Sequence, residues 1–107
     1  MNYIRANKEA WEEAFENRHE TWGTDIVKRI KTEKYPFFEK EMATVLQTYE
    51  LGDKTIGQFC SNNGRELLSL TRDNAKECIG FDIAENQVDF ANKIAKELHS
   101  NCKFIAV

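Results

Sequence analysis

The chain has 107 residues, 41% of them hydrophobic and 31% charged, which suits a single domain with an ordinary core. Its 15 Lys and Arg against 18 Asp and Glu leave a net charge of −3, arguing against a nucleic-acid or membrane-surface role driven by charge. No stretch is long and apolar enough to cross a bilayer and no signal peptide is expected, so a cytoplasmic location is the expectation.

Residues Ala6 to Glu20 read as a helix. Trp11, Ala14 and Phe15 share one side of it among many Glu and Arg residues, and Asn7 is the expected cap. Gly23 and Thr24 interrupt the pattern, and Asp25 opens a short helix, Ile26 to Lys31, with Ile26, Val27 and Ile30 as its apolar side. Lys28, Arg29, Lys31 and Lys34, with Glu33 among them, read as a solvated face. Pro36 stands where a third helix is expected to begin, since its missing N–H costs little in a first turn. Phe38, Met42, Val45, Leu46 and Tyr49 give that helix an apolar stripe, and Gly52 and Asp53 end it.

Thr55 to Ala91 is the organising stretch. Ile56, Phe59 and Cys60 fit a buried strand, and Leu67, Leu68 and Thr71 follow Gly64 at helical spacing. Cys78, Ile79 and Phe81 fit a second buried strand, closed by Asp82. Glu85 to His99 is amphipathic, with Val88, Ala91, Ile94, Ala95 and Leu98 on its core side. Cys102 to Val107 reads as a third strand. Parallel strands joined by helices cross over right-handedly, so the second strand lies beside the first and the third outside it. The fold class is therefore α/β: a partial Rossmann-like sheet of three parallel strands with helices, preceded by an amino-terminal helical segment. The expected division is a helical lead-in over 1–50 and an incomplete Rossmann-like unit over 51–107. The first strand keeps a free edge, a template for another chain. The expectation is a homodimer through that edge, or a marginally stable fragment.

The loop Cys60-Ser61-Asn62-Asn63-Gly64 is built of small and turn-forming residues, which let a ligand approach the backbone. Amides opening the next helix then face that ligand with partial positive charge. Asp82 follows Gly64 by 18 residues, near the roughly 20 that suit an acid accepting from ribose hydroxyls. An adenosine-type ligand is the expectation. Cys60, Cys78 and Cys102 read as small buried hydrophobes in a reducing compartment. His19 and His99 show no ligand-like spacing to the cysteines, so no metal is expected.

Together these segments resemble the class I methyltransferases that use S-adenosylmethionine. Ile56 to Gly64 looks like their first motif, an acid followed by a glycine-rich loop. Gly80-Phe81-Asp82-Ile83-Ala84-Glu85 looks like their second, in which the acid binds both ribose hydroxyls of the cofactor. The helical lead-in is similar too, and Asn7-Lys8-Glu9-Ala10-Trp11 looks like an opening found in some members that act on small molecules. The resemblance implies S-adenosyl-L-methionine as cofactor, a small-molecule substrate, and neither nucleic acid nor membrane as partner. It implies that the loop Gln58, Phe59, Cys60, Ser61, Asn62 to Gly64 holds the methionine end. Asp82 would hold ribose and Ile83 would pack on adenine; Gln87 would line the adenine edge, with a solvated helix residue as the plainer reading.

The sequence departs from the family pattern at three positions: Gln58 replaces the first motif's acid, and Cys60 and Asn62 replace two loop glycines. The likeness implies that 51–107 is the amino-terminal half of a cofactor-binding domain; it covers only the amino-terminal part of a family domain, short of the fourth strand and the loop that build much of the substrate pocket. No catalytic base is identifiable, and Tyr3, Trp11, His19 and Trp22 are candidates to lie over the cofactor, with packing as the plainer reading. Two alternatives stay open. One is a dinucleotide-binding oxidoreductase fragment, which needs a tighter glycine fingerprint. The other is a truncated, non-catalytic module that self-associates or binds a partner.

Overall fold

The computed structural model describes residues 2–71 and 75–107. Its lead-in consists of three helices. α1 (Tyr3–Glu16) is capped by Asn2, whose side-chain oxygen accepts the Arg5 N–H at 3.0 Å, so the cap is Asn2 and not Asn7. α2 (Ile26–Thr32) buries Ile26 and Ile30, as its apolar spacing predicts. α3 (Lys40–Leu46) begins after Glu39 rather than at Pro36. The reason lies in the aromatic residues around the proline. Tyr35 is buried with a left-handed φ of 52°, and Phe37 and Phe38 lean onto the core. The Arg29 guanidinium donates to the Pro36 carbonyl and sits 4.5 Å over the Phe37 ring, which fixes the segment as a turn. Of the apolar stripe expected on α3, Leu46 packs inward while Met42, Val45 and, beyond the helix end, Tyr49 are exposed.

Three parallel strands follow: β1 (Thr55–Phe59), β2 (Glu77–Asp82) and β3 (Cys102–Ala106), ordered β1-β2-β3 as the crossover rule requires. Gly57 pairs with Ile79 and Phe59 with Phe81, while Phe81 pairs with Ile105. α4 (Arg65–Leu70) and α5 (Glu85–Glu97) cross between the strands and cover one sheet face. The core forms there from Leu67, Leu68, Val88, Ala91, Cys78 and Phe104, closed by Ile26 and Ile30 of α2. Side chains alternate across a strand, so Phe59 points away from these helices and is 82% exposed. Cys60 lies past the strand end and is exposed as well. The expected burial of Phe59 and Cys60 is thus corrected, whereas Cys78 and Cys102 are buried. A hydrogen bond with Cys78, and after it burial, push the Cys102 thiol up, so it stays protonated. Among the described residues β1 has one strand partner, β2. No helix is long and apolar enough to cross a membrane among the described residues.

α5 ends in a tight double closure. Ser100 N–H donates to the Ala95 carbonyl and His99 N–H to that of Lys96, with His99 in the left-handed region at φ 54°.

Candidate functional site

The strands deliver two segments to one end of the sheet. After β1 the chain turns sharply: Cys60, Asn62 and Gly64 all have positive φ, of 55°, 56° and 79°. Cys60 and Asn62, which replace glycines of the first motif, therefore adopt the backbone geometry that glycine adopts most easily. Ser61 N–H donates to the Phe81 carbonyl at 2.9 Å, extending the sheet into the loop, and Gly64 N–H closes a turn on the Ser61 carbonyl. Asp82 then ties this loop to the second segment. Its Oδ2 accepts the Asn62 N–H at 2.8 Å, and its Oδ1 accepts the Ala84 N–H at 3.0 Å.

Two glycines let these pieces close up. A Cβ on Gly64 would stand 2.6 Å from Phe104 Cζ and 2.9 Å from the Ala91 methyl; one on Gly80 would stand 2.9 Å from Ser61 Cβ. The Phe104 ring thus packs directly beneath the loop.

The result is a cavity of about 390 Å³ at the strand ends. Of the nine residues singled out from sequence, Phe59, Cys60, Asn62, Asp82, Ile83 and Gln87 line it. Gln58, Ser61 and Gly64 do not: Gln58 is half-buried on the helix-covered face of β1, and Ser61 and Gly64 are buried behind the loop. Phe81, Val107, Asn7 and Trp11 complete the wall. Phe81 was legible in principle, because it shares a face with Phe59 and stacks on it at 5.5 Å. Asn7, which the sequence offers both as a cap and as the first residue of the Asn7–Trp11 opening, lines the cavity. Among the four aromatic candidates of the lead-in, Trp11 reaches this cavity. His19 and Trp22 border a different one beside Phe90, and Tyr3 is exposed.

α1 reaches the cavity because its other side is pinned to α5. Glu12 Oε2 accepts the Glu85 N–H at 3.0 Å, Asn86 Nδ2 donates to the Glu12 carbonyl at 2.8 Å, and Lys8 pairs with Glu85 at 2.7 Å. That last hydrogen bond holds the Glu85 carboxyl below its ordinary range and raises Lys8.

Asp82 is the one charged side chain among the described residues of the wall; the rest is apolar or neutral. Four buried side-chain oxygens have no hydrogen-bond partner among the described residues: Gln87 Oε1, from a residue of the wall, and Gln58 Oε1, Ser61 Oγ and Asn86 Oδ1, from residues outside it. Buried acceptors are nearly always paired in native proteins, so this wall suits a ligand that brings donors and little negative charge. No group of three or more His, Cys, Asp or Glu residues able to hold a metal occurs among the described residues.

Comparison with solved structures gives the fold a name. A geranyl diphosphate C-methyltransferase from Streptomyces coelicolor A3(2), solved with Mg2+, geranyl-S-thiolodiphosphate and S-adenosyl-L-homocysteine, is 15% identical. The match covers 100% of this chain and 49% of that one at a TM-score of 0.63. S-adenosylmethionine-dependent methyltransferases from Thiobacillus denitrificans and Geobacter sulfurreducens, each in complex with S-adenosyl-L-homocysteine, are 22% and 20% identical. Each match covers 78% of this chain and 35% of the other, at TM-scores of 0.54. The fold is that of part of a class I methyltransferase domain. The chain spans about half the length of the geranyl diphosphate enzyme and about a third of the other two. No protein-family model and no curated protein sequence matches it. On the methyltransferase fold, the Cys60–Gly64 turn and Asp82 lie at the carboxyl ends of adjacent parallel strands, where open α/β sheets bind their ligands.

Proposed function

We propose that this chain binds S-adenosyl-L-methionine in the cavity at the strand ends and forms the cofactor-binding part of a cytoplasmic methyltransferase acting on a small molecule. The observation that carries the reading is the wall itself, with one acid, Asp82, and no basic side chain among the described lining residues. A sulfonium cation with hydroxyl and amine donors complements that wall. A dinucleotide carries a charged pyrophosphate, which usually relies on a tighter glycine loop for close backbone approach. Cys60 and Asn62 put side chains at that approach, so the dinucleotide alternative is the weaker one. The three crystallised neighbours with bound S-adenosyl-L-homocysteine support the same choice, and the geranyl diphosphate enzyme supports a small-molecule acceptor.

In this reading Asp82 accepts from ribose hydroxyls, Ile83 and Phe81 pack on the base, and Gln87 Oε1 takes a donor at the base edge. The loop from Gln58 to Gly64 shapes the methionine end, with Cys60 and Asn62 on the wall and Gln58 supporting the turn from the helix-covered face of β1. Bound there, the cofactor supplies a methyl group activated by its sulfonium. The chain's own residues bind and orient it, and alignment is most of what methyl transfer requires. Thermal unfolding with S-adenosyl-L-homocysteine or NAD at equal concentration tests the choice. Stabilisation by the first and not the second is expected, and the reverse would overturn the reading.

A second reading, self-association, is favoured by one observation. Phe59 on the open-edged strand β1 and, across the sheet in register with it through Phe81, Ile105 on β3 are 82% and 45% exposed on the face that α4 and α5 leave uncovered. Parallel sheets are ordinarily covered on both faces. Sedimentation showing a dimer that Phe59→Asp converts to monomer would support it, and a folded monomer at high concentration would remove it.

A further inference from the structure

α1 is held to the rest of the molecule at its surface. None of its residues is buried. Its hold is concentrated on the first turn of α5, which has no side-chain cap of its own because Ala84 occupies the N-cap position. Glu12 fills that role from another helix, accepting the Glu85 N–H, while Lys8 pairs with the Glu85 side chain. Further along α1 the Phe15 ring lies 5.5 Å from Phe90 of α5.

The spacing of these residues matters. On a helix, residues four apart share a side. Lys8 and Glu12 form one such pair and face α5; Asn7 and Trp11 form the adjacent pair and line the cavity. Fixing Glu12 on α5 therefore fixes the direction of Trp11. Its indole is 52% exposed and stands in the same cavity as Phe59, Phe81 and Ile83, so a flat ring placed among them would cover it.

We propose that α1 is a lid over the cavity, latched to α5 through Glu12, and that Trp11 is the surface on which a planar heteroaromatic ring of the bound ligand stacks. The stacking half of this rests on the cofactor reading given above; the latch does not. Glu12 is a positioning residue, acting through α5 on Trp11. Trp11 is a binding residue. Stacking of a base on an aromatic side chain is sequence-tolerant and sizeable, which suits a wall with few directional groups.

The test uses the full chain carrying Trp22→Phe, so that Trp11 is its one indole. Acrylamide quenching then reports how far α1 has lifted. Glu12→Ala should raise the quenching constant at least twofold. Glu12→Gln keeps an acceptor oxygen for the Glu85 N–H and should restore the wild-type value, a rescue that plain loss of a surface charge would not give. With S-adenosyl-L-homocysteine, Trp11→Ala should weaken binding roughly tenfold, and Trp11→Phe should recover most of the loss. Glu12→Ala should speed ligand release roughly fivefold. Unchanged quenching in Glu12→Ala overturns the latch. Unchanged affinity in Trp11→Ala overturns the stacking role. If the unaltered chain fails to bind S-adenosyl-L-homocysteine by calorimetry, the cofactor reading and the stacking role fall together, and quenching still decides the latch.

Discussion

Asp82 uses both carboxylate oxygens to join two segments that wall the cavity, taking the Asn62 amide at 2.8 Å and the Ala84 amide at 3.0 Å. One bond holds the loop after β1 and the other holds the turn into α5. Charge-assisted hydrogen bonds contribute about 1.5–3 kcal/mol each, and partial exposure of Asp82 places these at the low end. Asp82→Ala should therefore lower the unfolding free energy by about 3 kcal/mol, a drop of roughly 10–20 °C in Tm for a domain of this size. Asp82→Asn keeps one acceptor oxygen and should cost about half as much. Urea and thermal unfolding followed by circular dichroism read both values. A Tm for Asp82→Ala equal to wild type would show that the carboxylate braces neither segment. The same numbers govern how binding data are read. In the folded Asn variant, weakened ligand binding beyond the loss of stability would report the ribose contact itself.

Cys60→Gly removes a left-handed strain of about 1–2 kcal/mol and returns about 0.4–1 kcal/mol of chain freedom to the unfolded state, for a net stabilisation of about 0.5–1 kcal/mol. Cys60→Ala keeps the strain and should leave the urea midpoint unchanged; equal effects of the two would discard the argument. His99→Gly should stabilise similarly at the end of α5. Gly64→Ala drives a methyl against Phe104 and Ala91 at a φ of 79°, and should destabilise by about 3 kcal/mol. Pairing it with Phe104→Leu should recover part of that loss. The Lys8–Glu85 pair gives a small, two-sided pH dependence, since it is exposed. Glu85 is depressed by the Lys8 hydrogen bond, so its contribution is present above the unfolded carboxylate pKa and fades as pH falls through the depressed value. Lys8 is raised, so its contribution is present below its unfolded pKa and fades as pH rises through the raised value. Lys8→Met should flatten both flanks of the urea-midpoint profile.

The strand, loop, helix and strand unit was legible because its signals are local and agree: apolar runs, a turn of small residues, and an acid at fixed distance. Strand order followed from handedness. What sequence hid was the face of each residue. Ile56, Phe59 and Cys60 are all apolar, yet the pleat sends Phe59 away from α4 and α5 and the turn takes Cys60 out of the strand. Pro36 carried a helix-start signal that lost to packing, since Tyr35, Phe37 and Phe38 reach the core from an irregular turn. Six of nine singled-out residues meet at the cavity because the motif fixes their place at the strand ends. Trp11 and Asn7 arrive through the contact of α1 with α5, a tertiary event that local pattern does not encode. Gln58, Ser61 and Gly64 illustrate the opposite limit. A motif names neighbouring positions alike, while the turn divides them between wall and support.

Calorimetric titration of the folded chain with S-adenosyl-L-homocysteine tests the central claim most directly. Saturable binding of one equivalent, weakened in Asp82→Asn beyond its stability loss, is the predicted result. Absence of binding by a chain that unfolds cooperatively would contradict it, leaving a methyltransferase fold without its cofactor site.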